Sequence, residues 1–171
     1  MKKQWWRKLF AWAWKPKQES VVVVPLKPHT WSKRNIEVAK YIPQPVKVID
    51  FGCGNKEILN FIEVKKYLGV DIEPTADIVA NLNAPMPATV SGKWDVALLL
   101  GVLEYVDDPD KTMSYILNYS DCFIVLSLIT KKKHNWQRAW TPESIDQFLQ
   151  QYFSSVEHHS ISRYILSVCK K

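Results

Sequence analysis

The sequence contains no apolar run approaching the roughly twenty residues that a membrane-spanning helix needs, no internal repeat and no low-complexity tract. A bilayer span, a solenoid and a disordered linker are thereby excluded as the main architecture. Its three cysteines, Cys53, Cys122 and Cys169, are odd in number and far apart. That spacing excludes a zinc cluster and a secreted disulfide framework. Each reads instead as a small buried residue in a reducing, cytoplasmic setting. Acidic residues are absent from the first 17 positions, where Lys2, Lys3, Arg7, Lys8, Lys15 and Lys17 all fall. Removing those six from the 23 basic residues leaves 17, matching the 17 acidic ones, so the formal charge of +6 sits entirely in this arm. The body carries no basic excess of the kind that grips nucleic acid, and none is expected as its partner.

The arm, MKKQWWRKLFAWAWKPK, holds four of the eight tryptophans. Wound as a helix it puts Trp5, Trp6, Leu9, Phe10, Trp12 and Ala13 on one face, and Arg7, Lys8 and Lys15 on the other. Leu9–Trp14 is too short for a signal-peptide core, and no small-residue cleavage site follows. Two uses fit this pattern. One is an interfacial helix on an anionic membrane, at the inner face of which the protein would then work. The other is an aromatic face docked on the domain itself or on a partner subunit. Pro16 stops the helix, and residues 18–29 read as an extended connector. The expected division is therefore an arm and connector over 1–29 and one domain over 30–171.

With 47% hydrophobic and 23% charged residues, that domain is long enough for a single core. Trp31, Ile36, Val38, Ala39 and Ile42 mark a helix within Thr30–Ile42. Buried strands are expected at Val46–Phe51, Tyr67–Asp71, Asp77–Ala80, Trp94–Leu100 and Cys122–Ile129. Helices are expected at Glu57–Glu63, Asp110–Asn118 and Pro142–Tyr152, the last started by Thr141 as cap with Pro142 behind it. This alternation predicts a parallel sheet with helices on its faces. The runs Phe153–Ser160 and Arg163–Cys169 are separated by so short a link that only an antiparallel pair can form. One place strains the pattern. Asp71 to Asp77 leaves far too few residues for a normal parallel crossover, so the third strand should be marginal and that end of the sheet poorly covered.

The sharpest motif is Val48-Ile49-Asp50-Phe51-Gly52-Cys53-Gly54-Asn55. A buried strand ends in an acid and two glycines that let the chain turn tightly beneath a ligand, at the strand end where open α/β sheets bind one. A nicotinamide fingerprint is disfavoured, because Glu57 stands where the third glycine belongs. Asp50, Gly52 and Gly54, followed by Asp71 at the next strand end, resemble the class I S-adenosylmethionine-dependent methyltransferases. Asp77–Asn83 is similar to that family's third strand and adenine turn, and Trp94–Leu100 with Gly101–Val106 to its fourth strand and turn. Arg138–Glu143 is similar to the start of its last helix.

The resemblance implies a Rossmann-like α/β fold: a mostly parallel sheet with helices on both faces and a C-terminal antiparallel hairpin. It implies S-adenosylmethionine as cofactor, held by Asp50, Gly52, Cys53, Gly54, Asp71, Ile72, Asn81, Leu82, Leu100 and Gly101. Asp71 would accept the ribose hydroxyls and Asp50 would sit near the methionine end. Asn81 departs from the family's usual Asp, and Tyr105 from its usual His. In the implied reaction the methyl passes in line to a nucleophile, and the protein supplies alignment and desolvation. A base is needed only if the acceptor must lose a proton early. His134, Tyr105 and Glu104 are the candidates, with an exposed basic loop, a pocket wall and a helix cap as their plainer roles. Trp136 and Trp140 line the acceptor site or pack. His158 and His159 alternate on one strand, so no metal is expected. The acceptor implied is small or surface-presented, and the arm points toward a lipid-linked one. The competing reading is a non-catalytic scaffold that keeps the fold and works with a partner or at a membrane.

Overall fold

Runs of apolar residues bounded by turn-forming ones build one seven-stranded sheet in this computed structural model, which describes residues 31–129 and 139–171. The expectations for the arm and connector, and for His134 and Trp136, lie outside the described residues. In chain order the elements are α1 (Ser32–Ala39), β1 (Val46–Phe51), β2 (Val64–Asp71), β3 (Ile78–Val79), β4 (Val96–Leu100), α2 (Pro109–Ile116), β5 (Cys122–Leu128), α3 (Pro142–Leu149), β6 (Ser155–Ile161) and β7 (Tyr164–Lys170). The strands lie in the order β3-β2-β1-β4-β5-β7-β6. The first five are parallel, while β7 runs antiparallel to both β5 and β6.

Alternate side chains of the central strands serve two cores. Ile49, Phe51, Ala97, Leu99, Phe123 and Val125 pack with Met113 and Ile116 of α2 and with Ile145, Phe148 and Leu149 of α3. Val48, Val96, Leu98, Ile124 and Leu126 pack on the other face with Val38 and Ala39 of α1 and with Ile58 and Ile62. Burial on both faces is why β4 and β5 read as near-continuous apolar runs rather than as alternating ones. Each fully buried aliphatic or aromatic side chain contributes about 1.5–3 kcal/mol. The helix starts are local chemistry. Asp108 accepts from the Lys111 backbone N–H ahead of Pro109, and Thr141 and Ser144 form a reciprocal capping box around Pro142.

Three expected helices are shorter in the structure. Glu57–Glu63 is only a 3-10 turn over Glu57–Asn60. The second ends at Ile116 and tightens into a 3-10 turn over Leu117–Tyr119, and the third ends at Leu149. Trp94 lies outside β4, meeting Ser120 in an isolated bridge.

The β2–β3 link is closed without a helix. Val70 and Asp71 pair with Ile78 and Val79, and Asp77 holds the turn together. Its N–H donates to Gly69 O at 3.0 Å, and its Oδ2 accepts from Gly69 N at 2.7 Å. Lys56 Nζ donates to its Oδ1 at 2.5 Å. Ile72 and Val79 are left 64% and 59% exposed, so this end of the sheet is thinly covered. No helix of the described residues is long and apolar enough to cross a membrane.

Candidate functional site

The carboxyl ends of β1, β2 and β4 meet where the strand order turns back on itself, with β1 between its neighbours in space. That switch point is the natural crevice of such a sheet. Gly52 follows β1 at φ +77°, and a Cβ there would lie 2.4 Å from Val102 Cγ2. No other residue satisfies both the backbone angle and the contact. Gly101 follows β4 at φ +80°, where a Cβ would stand 3.4 Å from Arg34 Nη1. Gly54 donates its N–H to Asp71 Oδ2 at 2.8 Å, which ties the turn after β1 to the end of β2.

Two cavities open on either side of Gly52 and Gly101, both of which line each. The first, about 210 Å³, is walled by Trp31, Arg34 and Asn35 of the α1 segment, by Asp50 near the end of β1, by Cys53, Gly54 and Glu57 after it, and by Leu100 and Tyr105. The second, about 280 Å³, is walled by Asp71, Ile72, Asn81, Leu82 and Tyr105. All ten residues implied for the cofactor therefore lie along one crevice, and Tyr105, itself 53% exposed, lines both halves.

Asp50 dominates the electrostatics of the first cavity. It is 2% exposed. Tyr67 donates to its Oδ2 at 2.7 Å, whereas its buried Oδ1 has no hydrogen-bond partner. Burial pushes its carboxyl from 3.8 up to about 7, against the pull of the Tyr67 bond and the Arg34 charge. The Arg34 guanidinium stacks 4.1 Å over the Trp31 ring, and burial holds its pKa below the usual value despite nearby anions. Glu57, also buried, accepts from Ser32 Oγ at 2.7 Å and so pins α1 to the turn after β1. Burial pushes the Cys53 thiol up to about 12, which keeps it protonated and unreactive.

In the second cavity Asp71 accepts from Gly54 N through Oδ2 and from Glu73 N through Oδ1 at 3.1 Å. Each oxygen keeps a further lone pair. The Asn81 turn is fixed by its own Oδ1, which accepts from Asn83 N. Thr112 of α2 donates to Leu82 O at 3.1 Å.

Other expectations resolve differently. Glu104 does not cap α2; Asp108 does. Glu104 instead reaches back to accept from Leu128 N at 2.5 Å. Trp140 is buried against Phe148, in the core rather than in the crevice. His158 sits between Ser167 and Asp146 while His159 stacks 4.2 Å from Tyr41, so the two rings serve opposite faces. Cys122 is half-buried rather than buried.

Arg34, Asn35 and Glu57 were missed from the sequence. The helix carrying Arg34 is readable from its apolar spacing, but nothing in the pattern of its polar residues marks them as lining a cavity.

A profile of the family described as "Methyltransferase domain" matches residues 27–161. No curated protein matches the sequence. Among solved structures, an O-methyltransferase family protein from Burkholderia thailandensis is 15% identical, with a TM-score of 0.62 over 82% of this chain and 56% of its own. Magnesium protoporphyrin IX methyltransferase from Synechocystis, solved with bound SAM, is 16% identical, with a TM-score of 0.55 over 81% of this chain and 79% of its own. The N-terminal domain of EvdMO1, with SAH and D-fucose, is 12% identical, with a TM-score of 0.57 over 84% of each chain. The chain spans about half the length of the first three structures it matches.

Proposed function

The chain belongs to the methyltransferase-domain family and has the class I S-adenosylmethionine-dependent fold, and from that premise we propose that it binds S-adenosylmethionine along the crevice and methylates a small or surface-presented acceptor. The observation that carries this reading is the buried Asp50 carboxylate, whose unpartnered oxygen belongs to a cavity that Arg34 also lines. A buried acid and a guanidinium in one cavity suit the two charges of an amino-acid zwitterion.

In this reading Asp50 takes the ammonium and Arg34 the carboxylate. Gly52, Cys53, Gly54, Leu100 and Gly101 form the floor, kept low because neither Gly52 nor Gly101 has a side chain. Asp71 accepts the ribose hydroxyls with its remaining lone pairs, while Ile72, Asn81 and Leu82 border the adenine. When bound, the cofactor supplies a methyl group made electrophilic by its sulfonium. The chain contributes alignment and the exclusion of water. Tyr105 is a wall shared by both halves of the crevice. The likeness to an O-methyltransferase family protein supports an oxygen acceptor. The charge and tryptophans of residues 1–17 support delivery to an anionic membrane surface.

Calorimetric titration with S-adenosylmethionine and S-adenosylhomocysteine, beside an Asp71→Ala variant, tests the reading. Binding by the wild type that the variant loses is the expected result. A folded wild type that binds neither compound would overturn it.

A further inference from the structure

A third cavity, about 210 Å³, opens beside the first and shares Trp31, Gly101 and Tyr105 with it. It lies on the side of the sheet away from Asp71, toward the ends of β5 and β7. Its remaining walls are Glu104, Leu128, Arg163 and Tyr164. Three aromatic rings and a leucine make it a slot for a flat apolar body. A cavity of about 150 Å³ holds benzene, so this one has room for one ring with small substituents.

Its chemistry is set by Glu104, which is 2% exposed. One oxygen accepts from Leu128 N, while Oε2 is buried with no hydrogen-bond partner. An unsatisfied buried carboxylate oxygen is costly unless a ligand donates to it. Two cations bracket the Tyr164 ring, Arg34 at 5.9 Å and Arg163 at 5.7 Å from ring centre to guanidinium carbon. They would repel an ammonium and favour a neutral hydroxyl, or an oxygen that gains negative charge as it reacts.

We propose that this cavity is the acceptor site, that its acceptor class is a single-ring phenol with an anionic substituent for Arg163, and that Glu104 Oε2 receives the phenol's proton. The proposal rests on the cofactor reading above, since the shared Trp31–Gly101–Tyr105 wall is what sets acceptor beside methyl donor. The phenol O–H bond breaks and its proton passes to Oε2. The electron pair left on oxygen forms the O–CH3 bond, and that of the old S–CH3 bond leaves on sulfur. Burial raises the Glu104 carboxyl above the ordinary carboxylate range, which makes it a better proton acceptor than an exposed one.

The test needs no turnover. The protein alone is titrated calorimetrically with 4-hydroxybenzoate and with 4-methoxybenzoate, in which a methyl group replaces the hydroxyl proton and removes the donor. The wild type is expected to prefer the phenol about tenfold, the value of one hydrogen bond to a charged group. In Glu104→Gln the amide oxygen still accepts from Leu128 N, but an NH2 donor replaces Oε2. The preference should then vanish while S-adenosylhomocysteine affinity is unchanged. Tyr164→Ala should weaken both rings alike. Wild-type protein that binds both rings equally, or neither, overturns the proposal, as does a preference that survives Glu104→Gln. If Glu104→Gln does not fold, seen as loss of S-adenosylhomocysteine binding, the wild-type comparison still decides. Failure of the wild type to bind S-adenosylhomocysteine overturns the cofactor reading and this proposal with it. Indifference to the hydroxyl alone overturns only the proposal.

Discussion

Tyr67 of β2 donates its phenol proton to Asp50 Oδ2 at 2.7 Å, while the other oxygen of the same carboxylate is buried without a partner. One neighbour on the next strand thus half-satisfies a charge that the fold has taken out of water, and the rest is left for whatever enters the first cavity.

A pH dependence follows. Asp50 titrates near 7 in the folded chain against an ordinary 3.8, so the folded state holds its proton more tightly than the unfolded one. The free protein should therefore lose stability as pH rises from about 4 to 7 and level off above that. The shift corresponds to at most about 4 kcal/mol. The ammonium of the amino-acid end needs the ionised form of Asp50, so S-adenosylhomocysteine affinity should rise about tenfold per pH unit below 7 and plateau above it. Urea unfolding and calorimetry across that range read both effects, and Asp50→Asn should flatten both.

Tyr67→Phe isolates the partner. The phenol stabilises the ionised Asp50, so its removal should move the midpoint of the affinity profile upward. Near pH 8 it should also destabilise the protein by about 1–3 kcal/mol, the cost of a hydrogen bond lost from a buried charge. That cost should shrink toward pH 5, where Asp50 is protonated in both proteins. A penalty equal at both pH values would mean that Tyr67 acts through packing alone.

These relationships were legible in unequal measure. β1 falls at the expected Val46–Phe51, because four apolar residues interrupted only by the exposed Lys47 and by Asp50 leave a burial signal that needs no partner to be read. The two crevice acids were readable because Asp50 stands at a strand end just ahead of Gly52 and Gly54, and Asp71 closes the next strand. Arg34 was not, because a single guanidinium on a short helix has no period or spacing. Its meaning depends on Gly101, far along the chain, having no side chain. Glu57 reads in the sequence as a missing third glycine and as a helix start, whereas its burial against Ser32 is a tertiary event. Glu104 reads as a candidate base or as a cap for the helix after it, yet its hydrogen bond runs across to the end of β5. Side chains at strand ends choose among neighbours that sequence order does not bring together.

The two motif glycines should respond differently to alanine. Gly52→Ala meets both a positive φ and a 2.4 Å collision with Val102 Cγ2, whereas Gly54→Ala at φ +49° meets no atom within 4 Å. The second should cost about 1–2 kcal/mol for the left-handed backbone alone. The first adds about 1–3 kcal/mol of overpacking, and Val102→Ala in the same chain should recover that added part only. Denaturant unfolding of the four proteins checks this. Equal penalties at the two glycines would mean that Val102 yields freely.

Arg34 provides the sharpest division of the crevice into halves. 5′-Methylthioadenosine keeps the adenosine and thioether of S-adenosylhomocysteine but lacks its amino-acid end. Arg34→Gln should weaken S-adenosylhomocysteine on the order of 10- to 100-fold, the value of a charge-assisted hydrogen bond. It should leave 5′-methylthioadenosine within about twofold, because Arg34 lines only the first cavity. Asp71→Ala should weaken both ligands, because Asp71 lines only the second. Competition calorimetry with the two nucleosides separates the cases. Equal weakening of both by Arg34→Gln would point to the stacking of Arg34 on Trp31 as its main role, with the helix rather than the guanidinium shaping the site. Selective loss of the amino-acid ligand would assign the carboxylate to Arg34, leaving the buried oxygen of Asp50 to the ammonium beside it.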